Sequence, residues 1–125
     1  MNGIMIIEDE QDLVELYRLV LEGAGHEVVG SFDDPQEALG KPPPALDPEI
    51  IVLDERLHGL SGMSFLPRLR VAFPRAKILF ASADPDAIER SIPAGADLAM
   101  KKPFIMIEFL EAIQRLRGKE KGGAG

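Results

Sequence analysis

Residues 50–62 read IIVLDERLHGLSG. Four aliphatic side chains, Ile50, Ile51, Val52 and Leu53, run straight into Asp54. An unbroken apolar run of this length, closed by a glycine-containing loop, reads as a strand buried on both faces. Burial gains nothing from a charge at its end. Asp54 therefore caps a turn or does chemistry there, and the rest of the chain has to decide which.

Comparable short apolar runs lie at residues 3–7, 27–32 and 77–81, with a weaker one at 98–100. Helical spacing fills the gaps. Leu13, Leu16, Tyr17, Val20, Leu21 and Ala24 predict an amphipathic helix over 12–24. Asp34-Pro35 predicts a capped helix start, cut short by Gly40 and by Pro42, Pro43 and Pro44. Residues 64–73 predict a helix in which Pro67 belongs to the first turn. Residues 86–92 predict a brief helix ended by Pro93 and Gly95. Residues 105–117 predict a last helix with Ile105, Phe109, Ala112, Ile113 and Leu116 on one face. Five strands alternating with five helices imply an α/β fold, a doubly wound parallel sheet covered on both faces. Such sheets bind ligands at the carboxyl ends of their strands.

The residues that follow each strand then gain meaning. Glu8, Asp9 and Glu10 follow the first, Asp54 the third, Ser82 with Ala83 and Asp84 the fourth, and Lys101, Lys102 and Pro103 the fifth. Asp33 and Asp34 end the second and are assigned to helix capping. Each piece alone has an ordinary explanation as a cap, a turn or a solvated surface group. Together they place carboxylates, a hydroxyl and an ammonium on one sheet edge. Glu8, Asp9 and Asp54 would repel one another and raise one another's pKa unless a cation sat among them. Oxygen donors with no His or Cys select a hard ion, Mg2+ rather than Zn2+. An ammonium and a hydroxyl opposite suit a phosphoryl group, and an aspartate can be its nucleophile. His26 and His58 lie in loops with no spacing that links them and read as surface residues; Tyr17 reads as core.

Composition narrows the classes. The chain has 125 residues, one domain's length, with 46% hydrophobic and 28% charged residues. It contains no cysteine, so neither disulfides nor a thiolate site is expected. A net charge of −7 argues against phosphate-backbone binding, so no direct nucleic-acid contact is expected. No signal-peptide pattern and no membrane-length apolar run is visible, which suits a cytoplasmic protein. Residues 118–125, GKEKGGAG, read as a flexible Gly-rich tail or the start of a linker.

Over residues 3–117 these pieces resemble the receiver domain of two-component response regulators, and residues 1–117 are read as that domain. IMIIEDE resembles the first strand with its acidic pair, IVLDERLHGLSGMSFL the phosphoacceptor strand and the loop reaching Gly62, ILFASA the strand ending in the switch hydroxyl, and GADLAMKKPF the Lys-Pro-Phe signature. The resemblance implies a flavodoxin-like (βα)5 sheet of strand order 2-1-3-4-5. It implies phosphorylation of Asp54, and Mg2+ held by Asp9, Glu8, Asp54 and the backbone carbonyl of Arg56. It implies that Ser82 and Lys102 bind the phosphoryl group and that the Lys102-Pro103 bond is cis. The partners implied are a histidine kinase or histidine phosphotransfer protein and a downstream protein target or effector domain. A homodimer through the last helix stays open. Such a domain is no enzyme toward other substrates; it catalyses only its own aspartyl phosphorylation and dephosphorylation.

Three departures stand out. Ala99 occupies the position of the usual aromatic switch residue, so coupling to an aromatic flip is absent in that form. His58 stands where proline is common. Arg56 and Asp84 flank the site, and they are expected to pair over the phosphoryl group and modulate its hydrolysis. Ala99 alone favours the alternative of a non-phosphorylated pseudo-receiver acting as an interaction module. A phosphatase-type hydrolase would carry Asp-x-Asp after the first strand, where Glu8-Asp9-Glu10 stands. An FMN binder would need a glycine or hydroxyl loop there, and the acids would repel its phosphate.

Overall fold

The computed structural model of the protein describes residues 3–124, with side chains as far as Gly118. Five parallel strands form the sheet: β1 (Ile4–Ile7), β2 (Val28–Phe32), β3 (Ile50–Asp54), β6 (Lys77–Ser82) and β7 (Leu98–Lys101). Their order is β2-β1-β3-β6-β7, the expected doubly wound arrangement. Helices α1 (Gln11–Gly23), α2 (Pro35–Leu39), α3 (Gly62–Ala72), α4 (Pro85–Ala94) and α5 (Met106–Ala124) connect or follow them. The loop after β3 contains an element the apolar pattern does not reveal. Two-residue strands β4 (Arg56–Leu57) and β5 (Leu60–Ser61) pair antiparallel around His58 and Gly59. Both turn residues have positive φ, 51° and 81°, the twist that tight hairpins favour.

Side-chain alternation along the strands divides the core. Met5, Ile7, Ile51, Leu53, Ile78 and Phe80 face one way and pack on Phe65, Leu66 and Leu69 of α3, with Ala38 and Ala87. Ile4, Ile6, Ile50, Val52 and Leu79 face the other way and meet α1 and α5. There Tyr17 stacks on Phe109 with ring centroids 4.5 Å apart. β1 and β3 are buried at every position, as their unbroken apolar runs require, whereas the edge strand β2 is half-buried throughout.

Several local expectations change. The buried stripe of α1 is Val14, Tyr17 and Leu21; Leu16 is exposed and Ala24 lies beyond the helix end. Two adjacent stripes at 3.6-residue spacing are both apolar here, and the stacking of Tyr17 on Phe109 decides between them. α3 begins at Gly62, which moves Pro67 out of the first turn. α4 does not stop before Pro93 but runs to Ala94, because a proline in a last turn removes only one helical bond. Gly95, at φ 133°, ends it. Ile105 precedes α5 and is exposed rather than part of its buried face. The backbone of α5 stays helical beyond Arg117 to Ala124, since extending a formed helix is cheap compared with starting one. His26 is buried, not a surface residue: Arg117 Nη1 lies 2.6 Å from its Nδ1, and Arg117 also pairs with Glu49 at 2.8 Å.

Candidate functional site

Register aligns the strand ends. Ile7 pairs with Leu53, Leu53 with Phe80, and Ser82 with Lys101. Glu8 therefore leaves β1 beside Asp54, and Lys102 leaves β7 beside Ser82. Glu8 and Asp54 continue the alternation of Ile4, Ile6, Ile50 and Val52, so both lean toward the α1 side. Carboxylate oxygens of Glu8, Asp9 and Asp54 lie within 4.8 Å of one another. Glu8 and Asp54 are buried and Asp9 is half-buried.

Three acids this close need compensation. Lys102 Nζ forms an ion pair with Asp54 Oδ1 and lies 3.9 Å from Glu8 Oε1. The backbone N–H of Arg56 donates to Asp54 Oδ2 at 3.1 Å, and that of Glu10 to Glu8 Oε2 at 3.2 Å. One ammonium does not suffice. Burial, and next the charge of Asp54, push Glu8 up to about 7 from 4.5, although Lys102 opposes the shift. Glu8 Oε1 is buried and accepts no hydrogen bond among the described residues, with only the Lys102 ammonium nearby at 3.9 Å. An all-oxygen donor set with an orphaned buried carboxylate oxygen fits a hard dication.

On the other side of Asp54 opens a cleft of about 350 Å3 lined by Asp54, Glu55, Arg56, Ser82, Ala83, Asp84 and Lys102. Ser82 is buried; its Oγ accepts the Asp84 N–H at 3.0 Å, which leaves the hydroxyl proton free to donate. Asp84 also accepts from Asp86 N–H at 3.0 Å and so caps α4. Arg56 is exposed at the cleft, and no ion pair joins it to Asp84 among the described residues. Ala99 is half-buried on β7, opposite Phe80. The Lys102-Pro103 bond is cis, as expected, and so is Pro43-Pro44.

His58 belongs to this edge too. Its backbone N–H donates to Asp9 Oδ2 at 2.8 Å, its Nδ1 lies 3.7 Å from that oxygen, and its Nε2 lies 3.4 Å from Asp33 Oδ2. Asp34 alone caps α2, by accepting the Gln36 N–H at 2.9 Å. Asp33 instead turns toward His58. The only local hint was the His58-Gly59 pair between apolar residues; the 49-residue span from Asp9 to His58 carries no sequence pattern.

An acidic trio, a hydroxyl and a lysine thus meet at the carboxyl edge of a parallel sheet of order β2-β1-β3-β6-β7. The chain belongs to the response regulator receiver domain family, whose model matches residues 4–114. It is 32% identical over 117 residues to the transcriptional regulatory protein TrcR of Mycobacterium tuberculosis, covering 92% of this chain and 44% of that protein. It spans about half or less of the length of the curated transcriptional regulators it resembles. A receiver domain from Methanospirillum hungatei superposes with a TM-score of 0.84 at 24% identity, over 98% of both chains. A response regulator from Burkholderia pseudomallei, described with a phosphorylated aspartic acid, calcium ion and citrate, superposes at 0.81 with 24% identity, over 100% of this chain and 74% of that one. At such identity these two likenesses concern the fold. Among the described residues no helix is long and apolar enough to cross a membrane.

Proposed function

We propose that this domain accepts a phosphoryl group on Asp54 from the phosphohistidine of a histidine kinase or histidine phosphotransfer protein, with Mg2+ as cofactor. The observation that carries the reading is the convergence of Asp54, Ser82 and Lys102 on one cleft, with Glu8 and Asp9 on the other side of the same carboxylate. Glu8, Asp9, Asp54 and the backbone carbonyl of Arg56 would hold the ion, which would supply positive charge where negative charge builds up during transfer.

The chain's own groups do the rest. Asp54 Oδ2 is held by the Arg56 N–H, while Oδ1 faces Lys102. Oδ1 attacks phosphorus, the oxygen–phosphorus bond forms, and the nitrogen–phosphorus bond of the donor breaks. The departing imidazole takes up a proton. Lys102 exchanges its pairing with Oδ1 for one with a phosphoryl oxygen, and the Ser82 hydroxyl donates to another. Aspartyl phosphates end by attack of water, and Arg56 and Asp84 line the approach. The domain thus acts catalytically on itself alone, in the cytoplasm, and signals to a protein target or effector domain. Residues 1–117 carry this activity, and residues 118–125 serve as tail or linker. Pairing of two copies through α5 is compatible with it.

Ala99 is the observation that favours a second reading, a pseudo-receiver that binds partners without phosphorylation. Intact mass after incubation with Mg2+ and acetyl phosphate separates the two. The first reading expects one phosphoryl addition, dependent on Mg2+ and absent from Asp54→Asn. No addition under any condition, with Mg2+ binding undetectable, would leave the pseudo-receiver.

A further inference from the structure

We propose that His58 Nδ1 is an additional ligand for the cation held by Glu8, Asp9 and Asp54, and that it tilts this site from Mg2+ toward transition-metal dications such as Co2+. The inference rests on the metal-dependent reading above and adds a donor of a different chemical kind.

The hairpin places the ring. His58 has φ 51°, which only a few residue types tolerate and proline cannot adopt. Its N–H, which proline would also lack, is fastened to Asp9 Oδ2 at 2.8 Å. That contact holds the imidazole over the carboxylate, with Nδ1 3.7 Å from the same oxygen. Neighbouring donors around an octahedral ion with bonds of about 2.1 Å lie about 3 Å apart; Nδ1 stands just outside the compact Glu8–Asp9–Asp54 group, and rotation of the exposed ring would have to bring it in. His58 lines one cleft with Glu8, Asp9, Asp54 and Lys102.

The far side of the ring supports the same role. Nε2 lies 3.4 Å from Asp33 Oδ2. With a cation bound among the acids, the Asp33 carboxylate would hold the ring proton on Nε2 and leave the Nδ1 lone pair to the metal. Metal-binding histidines are ordinarily oriented by such a partner. Asp33 would be a positioning residue. An imidazole nitrogen adds little for Mg2+, which prefers oxygen and water, and adds more for borderline ions later in the divalent series.

The test is calorimetric titration of the whole chain with Mg2+ and, separately, with Co2+. It is joined by proton NMR of the Co2+-loaded protein, in which a coordinated histidine gives a strongly shifted exchangeable ring N–H. His58→Asn is the informative variant, because asparagine tolerates the left-handed backbone and keeps the N–H to Asp9. The expected result is a tenfold or greater loss of Co2+ affinity, a change below twofold for Mg2+, and disappearance of the shifted resonance. Asp33→Asn should weaken Co2+ binding by a smaller factor and leave Mg2+ unchanged. Equal losses for both ions, or no shifted ring proton in the parent protein, would overturn the role of His58 while leaving the Mg2+ reading intact. If the parent protein binds neither ion, the metal-dependent reading fails as well.

Discussion

Gly62 backs directly onto the main-chain carbonyl of Asp54: a Cβ added there would fall inside the Asp54 carbonyl oxygen, and the Gly62 N–H donates to Glu55 O at 2.5 Å. The start of α3 is thereby laid against the end of β3 with no room for a methyl group. Gly62→Ala should cost about 1–3 kcal/mol of stability, the usual size of an overpacking penalty. Because the displaced atoms belong to Asp54 and its neighbour, phosphorylation by acetyl phosphate should slow several-fold in the protein that remains folded. Urea unfolding and a mass time course measure the two effects. A variant with parent-like values of both would mean that the loop absorbs the methyl group.

Glu8 sets a pH dependence. Its folded pKa of about 7 lies above the ordinary 4.5, chiefly because it is buried and secondarily because it faces Asp54. Between those values the folded state holds a proton the unfolded state has lost, so stability falls as pH rises and the full penalty applies above about 7. Glu8→Gln should remove this slope and stabilise the metal-free protein at pH 8, by on the order of 1–3 kcal/mol. The same change should weaken Mg2+ binding, since it deletes an anionic ligand. Thermal unfolding from pH 4.5 to 8, with and without Mg2+, reads both. Equal pH slopes in parent and variant would place the source elsewhere.

Arg56 is exposed where the cleft opens and Asp84 lies across it, held as the cap of α4 rather than by an ion pair. The cap occupies only Asp84 Oδ1, which leaves Oδ2 for Arg56. If the two close over a phosphoryl group, Arg56→Ala should change the decay of phosphorylated protein several-fold without altering the rate of its formation by the small donor. An unchanged decay would show that water reaches the site unhindered by either side chain. Asp84→Ala should also lose about 1 kcal/mol of stability from the missing cap.

At the opposite end of the sheet, burial and then the adjacent Arg117 hold His26 below its ordinary pKa of 6.5. Below pH 6.5 the unfolded chain takes up a proton that the folded site resists, so stability declines as pH falls, by at most about 1.4 kcal/mol per pH unit. His26→Asn keeps an acceptor for Arg117 and cannot ionise, so it should flatten this decline between pH 7 and 5. The comparison is best made by denaturant midpoints at each pH. A parent-like slope in the variant would exonerate His26.

The fold was legible because it depends on patterns that repeat along the chain. Unbroken apolar runs at residues 4–7 and 50–53 can only be central strands of a covered sheet, and both are buried at every position. The strand-end rule then brought Glu8, Asp54, Ser82 and Lys102 to one edge, where β-sheet register places them. What the one-dimensional pattern could not settle was anything decided by competition between neighbours. Val14 faces the core in place of Leu16, on the side where Tyr17, expected in the core, stacks on Phe109 more than 90 residues away. His26 is buried because α5 carries Arg117 back to it, across 91 residues. His58 joins the acidic edge because a two-residue hairpin turns its N–H toward Asp9. Local sequence determines periodicity, breaks and caps, since these act within a few residues. Which polar groups finally meet depends on contacts between distant segments, and only the packed chain supplies those.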